Sequence, residues 1–164
     1  MSKVKGVLKE LFVGAILLFI FSNIISYIRK PDLDANSVLP MHVTLLDGST
    51  YVQQEGKPLV LHFWATWCPT CKLEASNIQH VSRDYEVLTI VVNSGNDESI
   101  KAYMKEQKLS FKVLNDMEGR WAKRFNVEAY PITFIYDAKG GLTFTEVGYT
   151  TTAGLLARLK MIEL

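Results

Sequence analysis

This chain of 164 residues has little net charge and no extended cluster of basic residues. Its 18 basic and 17 acidic side chains leave a formal net charge of +1, and acidic side chains outnumber basic ones after residue 30. No run of lysine or arginine occurs in that part, which argues against a nucleic-acid partner. The sequence also contains no internal repeat and no low-complexity segment, and no feature of it requires an organic cofactor.

Cysteine is scarce as well, because the chain contains only two, Cys68 and Cys71. A disulfide across so short a loop removes little entropy from the unfolded chain, so stability explains it poorly and reactivity explains it better. Two alternatives stay open, an inert disulfide and one half of a zinc or copper site. The three histidines, His42, His62 and His80, lack ligand spacing, and we therefore predict no metal site.

One long uncharged segment is present, from Leu11 to Ile28. A membrane-spanning helix needs roughly 20 such residues, so this segment is near the lower limit. No small-x-small cleavage site follows it, and no cysteine lies nearby to carry a lipid. We predict an uncleaved anchor over residues 1–30, a polar linker over 31–40 and a folded domain over 41–164, with a cleaved signal peptide as the alternative.

The basic residues around this segment predict its orientation. Lys3, Lys5 and Lys9 precede it, whereas only Arg29 and Lys30 follow. Under the positive-inside rule the N-terminus stays in the cytoplasm, and the domain lies outside it. The predicted location is therefore the inner membrane, with a single pass and the C-terminal domain in the periplasm or its equivalent.

The rest of the chain alternates between predicted strands and helices. The predicted elements are a hairpin over 43–52, strands over 59–64, 87–92, 112–114, 132–136 and 142–147, and helices over 69–83, 97–108, 118–125 and from Thr151 or Thr152 onward. Alternation that ends in a hairpin and a helix predicts an α/β fold, a mixed central sheet with helices on both faces.

The cysteine pair falls between the apolar strand 59–64 and the helix that Pro69 opens. This position places both sulfurs at a helix N-terminus, where the dipole and free N–H groups favour a thiolate. The arrangement is typical of thiol–disulfide exchange.

The segment FWATWCPTC, with the later Tyr130-Pro131-Ile132-Thr133-Phe134, resembles the thioredoxin superfamily. The length between the motifs and the acid Glu74 resemble its membrane-anchored TlpA/ResA/DsbE-like branch, and the CPTC site most resembles the suppressor-of-copper-sensitivity D group. The resemblance implies a thioredoxin fold with an N-terminal hairpin and a central helix–strand insertion, preceded by one transmembrane helix. DsbE-like proteins of cytochrome c maturation are the less similar alternative.

The resemblance also implies roles for the motif residues. Cys68 is expected to attack a partner disulfide, and Cys71 to resolve the mixed disulfide. Pro69 and Thr70 are expected to tune the redox potential of the pair. Glu74 is expected to influence the cysteines or move protons, with a solvated helix-face acid as the alternative.

Three further residues are expected to contact substrate or protons. Pro131 is expected to follow a cis peptide bond opposite the cysteines, where the backbone next to Tyr130 pairs with an extended substrate. Trp67 is expected to shield the disulfide and offer contact surface, with a plain rim residue as the alternative. A histidine at position 62 can help move the proton of Cys71 near neutral pH, but a core histidine bonded to a backbone carbonyl is the favoured interpretation.

The function predicted from these observations is a membrane-anchored thiol–disulfide oxidoreductase that reduces specific protein disulfides. Its expected partners are proteins with disulfides or thiols and a membrane thiol-transfer protein that supplies electrons, with a link to copper stress. The alternatives are a cytochrome c maturation reductase, a disulfide-forming oxidant, a thiolate metal-binding module such as a Cu(I) site, and a chaperone-like groove.

Overall fold

The computed structural model describes residues 10, 12–14, 17 and 41–163. The chain divides into two compact units, Met1–Lys30 and Pro31–Leu164. Nearly all of the predicted anchor and the whole predicted linker lie outside the described residues. Within the described part, no helix has the length and apolar character needed to cross a membrane.

The described part of the second unit follows the predicted order of elements. The elements are β1 (His42–Thr44), β2 (Thr50–Val52), β3 (Leu59–Trp64), α1 (Pro69–Val81), β4 (Glu86–Val92), α2 (Asp97–Glu106), β5 (Lys112–Asp116), α3 (Arg120–Arg124), β6 (Ile132–Tyr136), β7 (Leu142–Val147) and α4 (Thr152–Glu163). This order confirms the predicted hairpin and the helix–strand insertion formed by α2 and β5.

Five strands form one mixed sheet in the order β5-β4-β3-β6-β7, while β1 and β2 pair separately as an antiparallel hairpin. β3 runs parallel to β4, and β4 runs parallel to β5. β6 is antiparallel to both β3 and β7. The sheet confirms the predicted mixed topology and is the sheet of a thioredoxin fold.

Helices cover both faces of this sheet, as predicted. Every residue of β3 is buried. Its nearly continuous apolar sequence is typical of a central strand that is covered on both faces. Leu61 and Phe63 point to one face, where the hairpin and α3 complete a core. Val60 and Trp64 point to the other face, where the core includes apolar residues of α1, α2 and α4.

Several predicted helix ends are wrong by a few residues, and each has a local cause. α1 ends at Val81 rather than residue 83, because Arg83 N–H bonds the carbonyl of His80 in a tighter turn. α2 ends at Glu106, and Lys108 adopts a φ of 54°. α3 begins at residue 120, since Gly119 has a φ of 69° that a helix does not contain.

Candidate active site

The two cysteines lie at the N-terminus of α1 and are joined by a disulfide with a Cα–Cα distance of 5.2 Å. Cys68 is the N-cap residue, and Pro69 occupies the first turn, where its missing N–H costs nothing. The backbone N–H of Cys71 points at Cys68 Sγ at 3.1 Å. The helix end therefore offers Cys68 a donor for its thiolate once the disulfide opens.

Cys68 is the more accessible of the two, although both are largely covered. Its relative exposure is 6%, compared with 2% for Cys71. Pro69 is exposed and Thr70 half-buried beside the pair, so both predicted tuning residues adjoin the disulfide. Cys68 is therefore the sulfur that a partner disulfide can reach more easily.

The loop before the cysteines is held by residues that follow β4. Thr66 N–H donates to Ser94 Oγ at 3.0 Å, and Trp67 Nε1–H donates to the carbonyl oxygen of Asn93 at 3.1 Å. β3 and β4 are parallel neighbours, so the segments after them meet at one edge of the sheet. Sequence reasoning missed Asn93 and Ser94, although the predicted order of strand, helix and strand around the cysteine pair was a usable signal for them.

The predicted substrate-contact residues come together beside Cys68. The Tyr130–Pro131 peptide bond is cis, as the resemblance implied. The carbonyl oxygen of Tyr130 lies 3.8 Å from Cys68 Sγ. The rings of Trp67 and Tyr130 meet edge to face with centroids 5.7 Å apart, and Trp67 is 59% exposed. Trp67 is thus a surface residue at the site, whereas Trp64 is buried in the core.

Glu74 is fully buried, so the alternative of a solvated helix-face acid is wrong. It lies three residues after Cys71 on the same buried face of α1. Its Oε1 accepts a hydrogen bond from the backbone N–H of Thr150 at 2.9 Å. Burial, and to a lesser degree the charge of Glu146, raises the pKa of Glu74 to about 8. Glu74 can therefore exchange a proton near neutral pH.

His62 is buried in the centre of the sheet, as the interpretation of a core histidine predicts. Its Nδ1 lies 2.9 Å from Thr133 Oγ1, so the ring is satisfied by a hydroxyl rather than by a backbone carbonyl. Burial lowers the pKa of His62 to about 3. The imidazole is therefore neutral at physiological pH. Glu74, rather than His62, is the group that titrates near neutral pH.

A row of polar side chains crosses this face of the sheet. The β-ladders align Thr89, His62, Thr133 and Glu146 on neighbouring strands. All four lie on the face that packs against α1, since their strand neighbours two residues away belong to that core. Sequence reasoning missed this row because it depends on strand register, which single-strand patterns do not reveal.

The described residues contain no group of three or more histidine, cysteine, aspartate or glutamate side chains that could hold a metal ion. The reactive side chains on the buried face of α1 are Cys71 and Glu74, with Cys68 at the N-cap. A nucleophilic sulfur, a resolving sulfur and a buried acid can together carry out thiol–disulfide exchange.

Residues 32–145 match the model of the AhpC/TSA family. The chain belongs to the AhpC/TSA family. A thioredoxin-like protein of Haemophilus influenzae is 26% identical to it over 165 residues, which cover 98% of each chain. Sporulation thiol-disulfide oxidoreductase A of Bacillus subtilis is 31% identical over 111 residues, which cover 63% of this chain and 67% of that protein.

A solved structure gives the same picture at the level of the fold. A secreted disulfide oxidoreductase of Mycobacterium tuberculosis, described as homologous to E. coli DsbE, superposes with a TM-score of 0.66 and 28% identity. The match covers 75% of this chain and 96% of that one. With its family, fold and cysteine pair, this member of the AhpC/TSA family is a thioredoxin-like thiol–disulfide oxidoreductase.

Proposed function

We propose that this protein is a membrane-anchored reductase of specific protein disulfides that acts outside the cytoplasm. The reaction is a ping-pong exchange in which the Cys68–Cys71 dithiol gives two electrons to a partner disulfide. The observation that carries the proposal is the position of Cys68, which lies at the start of α1 and 3.8 Å from the Tyr130 carbonyl, with the buried acid Glu74 on the helix face of Cys71.

The exchange follows from this arrangement in two displacements. The Cys68 thiolate attacks one sulfur of the partner disulfide, and the other partner sulfur leaves as a thiolate. Cys71 then gives its proton to the ionised carboxylate of Glu74. The Cys71 thiolate attacks Cys68 Sγ, which breaks the mixed disulfide and releases the second partner sulfur. The partner gains two electrons, and the cysteine pair becomes the disulfide seen here.

The surroundings of Cys71 favour the reducing direction. The buried ionisable groups of α1 and β3, apart from the cysteines, are the acid Glu74 and the neutral His62. Neither stabilises a thiolate by positive charge. Strong oxidants of this chemistry owe their high potential to a strongly stabilised reduced form. Here no buried positive charge among the described residues adds to the effect of the helix N-terminus on Cys68, which favours the dithiol as an electron donor.

The finer assignments rest on the sequence. The uncharged segment 11–28 supports a single-pass anchor in the inner membrane, with the domain in the periplasm, and a membrane thiol-transfer protein as the source of electrons. The CPTC site supports the suppressor-of-copper-sensitivity D group and a role in copper tolerance. One of the similar solved structures is that of a secreted oxidoreductase, which fits a domain outside the cytoplasm.

Two measurements on the full chain test this function. A Cys71→Ala variant should accumulate mixed disulfides with partner proteins, whereas Cys68→Ala, its matched control, should not.

Equilibration with dithiol buffers should give a potential near that of thioredoxin, about −270 mV. A value near about −120 mV would instead assign the protein as a disulfide-forming oxidant. A pair that binds Cu(I) without cycling would favour a metal-binding module.

A further inference from the structure

Glu146 and Arg158 form an ion pair between β7 and α4. Arg158 Nε donates to Glu146 Oε1 at 2.7 Å, and the two side chains are 29% and 21% exposed. Arg158 Nη1 also donates to the carbonyl oxygen of Gly154 at 2.8 Å, which holds the guanidinium against its own helix. A pair this sheltered is screened by solvent much less than a pair at an open surface.

The chain segment that carries Glu146 also contacts the buried acid of the redox site. Glu146 lies opposite Thr133 in the β6–β7 ladder, on the sheet face that packs against α1. Four residues later in the same segment, Thr150 donates its N–H to Glu74. One short stretch of chain therefore brings both a hydrogen-bond donor and a second carboxylate to Glu74, and Arg158 is bonded to that second carboxylate.

We propose that the Glu146–Arg158 ion pair tunes the proton transfer between Cys71 and Glu74, which makes both of its members positioning residues for the resolving step. The inference rests on the proposed function of the cysteine pair as an exchanging dithiol. Neither residue touches the sulfurs, and both act through the charge that Glu74 experiences.

Glu146 and Arg158 have opposite effects on the ionisation of Glu74. The negative charge of Glu146 disfavours ionisation of Glu74, and it adds to the larger effect of burial. Arg158 offsets that charge. Two other ionisable groups share this region: Cys71 lies on the same buried face of α1, and His62 lies on the sheet face that packs against α1. Because burial keeps His62 neutral, the charges that act on Glu74 come from the Glu146–Arg158 ion pair.

Resolution depends on the state of Glu74 because only its carboxylate can take the Cys71 proton. The transfer converts the Cys71 thiol and the Glu74 carboxylate into a thiolate and a carboxylic acid. The rate of resolution therefore rises with pH as Glu74 ionises. A substitution that raises the pKa of Glu74 moves the increase in the rate of resolution to higher pH. A substitution that lowers this pKa moves the increase to lower pH.

The test follows the two displacements separately with 5,5′-dithiobis(2-nitrobenzoate) as the probe disulfide. The reduced full chain should release one thionitrobenzoate when Cys68 attacks and a second when Cys71 resolves. Rapid-mixing measurements from about pH 6 to pH 10 give the midpoint of the second phase. We expect Glu146→Gln to lower that midpoint and Arg158→Met to raise it, each by about 0.5–1 pH unit, with Arg158→Lys restoring the wild-type value.

Two controls separate tuning from structural damage. Lys160→Met removes an exposed ion pair from the same helix and should leave the midpoint unchanged. In a Glu74→Gln background the shifts from Glu146→Gln and Arg158→Met should vanish. Shifts of equal sign, no shift, or shifts that persist without Glu74 would overturn the inference while the exchange itself stands. If the wild type shows no second phase, the proposed function fails, and the inference falls with it.

Discussion

Glu74 Oε1 and the backbone N–H of Thr150 are joined by a 2.9 Å hydrogen bond that connects residues 76 positions apart in the chain. The bond ties the redox helix α1 to the segment between β7 and α4. It satisfies one carboxyl oxygen, while Oε2 is buried with no hydrogen-bond partner among the described residues. A carboxyl group with one hydrogen-bonded oxygen and one buried, unbonded oxygen is stable when it is protonated. Its ionised form is unfavourable, because the buried oxygen then carries charge without a partner.

Glu74 should therefore make the fold less stable as pH rises. Its pKa rises from an ordinary value of 4.5 to about 8 on folding, so the folded state holds a proton that the unfolded state has lost. The stabilisation is complete below about pH 4.5 and disappears as pH rises to about 8. We expect Glu74→Gln, which stays neutral, to exceed the wild type at pH 8 by roughly 2–4 kcal/mol in free energy of unfolding.

Urea unfolding of the oxidised protein at several pH values measures this effect. Glu118→Gln is the matched control, because Glu118 is an exposed glutamate whose side chain is 67% accessible. It should leave the pH dependence of the wild type unchanged. Parallel stability curves for Glu74→Gln and the wild type would show that Glu74 ionises in the folded state as readily as in water.

His62 should produce the opposite slope at lower pH. Burial lowers the pKa of His62 from 6.5 to about 3, so the unfolded state binds the proton first. Its contribution to stability is complete above about pH 6.5 and is lost as pH falls toward about 3. We expect His62→Gln to remove this acid-side loss, which amounts to about 1.4 kcal/mol for each pH unit within the window.

The two groups together predict the shape of the stability curve. Between about pH 4.5 and 6.5 the opposite slopes of His62 and Glu74 cancel, so the wild type should show a plateau there. Urea unfolding of the double variant His62→Gln/Glu74→Gln should lack both falling limbs. A wild-type curve that keeps rising through pH 8 would contradict the assignment of Glu74 rather than that of His62.

Tyr130 should matter for protein partners more than for small disulfides. Its ring packs edge to face against the exposed Trp67, and its carbonyl oxygen lies beside Cys68. We expect Tyr130→Ala to raise KM for a protein disulfide by about tenfold, as the loss of an aromatic anchor does at interfaces. The second-order rate with oxidised glutathione should change much less, because so small a substrate needs little of that surface.

Tyr149→Ala provides the comparison for this variant. Tyr149 is also an exposed tyrosine, 52% accessible, but its hydroxyl accepts a hydrogen bond from Asn77 on the side of α1. It should leave KM for the protein disulfide within about twofold of the wild type. Equal losses with both substrates in Tyr130→Ala would mean that the residue supports the sulfur geometry and not the partner surface.

The elements and the redox pair could be predicted from the sequence because their signals are local. The apolar run of β3 predicts a buried central strand, and Pro69 predicts the start of α1 just after Cys68. The predicted ends of the helices were less accurate. They depend on residues such as Gly119 and Lys108, which have a positive φ that the periodicity of apolar residues does not reveal.

The environment of the pair could not be predicted in the same way. Whether Glu74 meets water or the interior depends on how α1 packs against the segment around Thr150, which lies far away in the sequence. The polar row from Thr89 to Glu146 depends on the register of separate strands. A core position for His62 could be predicted from its strand, but its neutral state follows from nearly complete burial, which requires the packed sheet.

Asp116 is a further residue that the sequence did not mark. It is 4% exposed at the end of β5, and its Oδ2 accepts a hydrogen bond from the N–H of Ala122 at 2.9 Å. The carboxylate thus satisfies an N–H at the start of α3, where Gly119, the N-cap residue, provides no side chain to do so. Its backbone carbonyl also accepts a hydrogen bond from the N–H of Asn93 at 3.1 Å, and the carbonyl of Asn93 is the acceptor that holds Trp67.

We expect Asp116→Ala to lower the free energy of unfolding by about 1–2 kcal/mol, because the Ala122 N–H loses its partner in the interior. Asp116→Asn keeps an oxygen acceptor in the same place and should recover at least half of that loss. Urea unfolding of both variants at one pH makes the comparison. If Asn is as damaging as Ala, the negative charge rather than the hydrogen bond stabilises α3, and the dipole of this short helix would then be the larger effect.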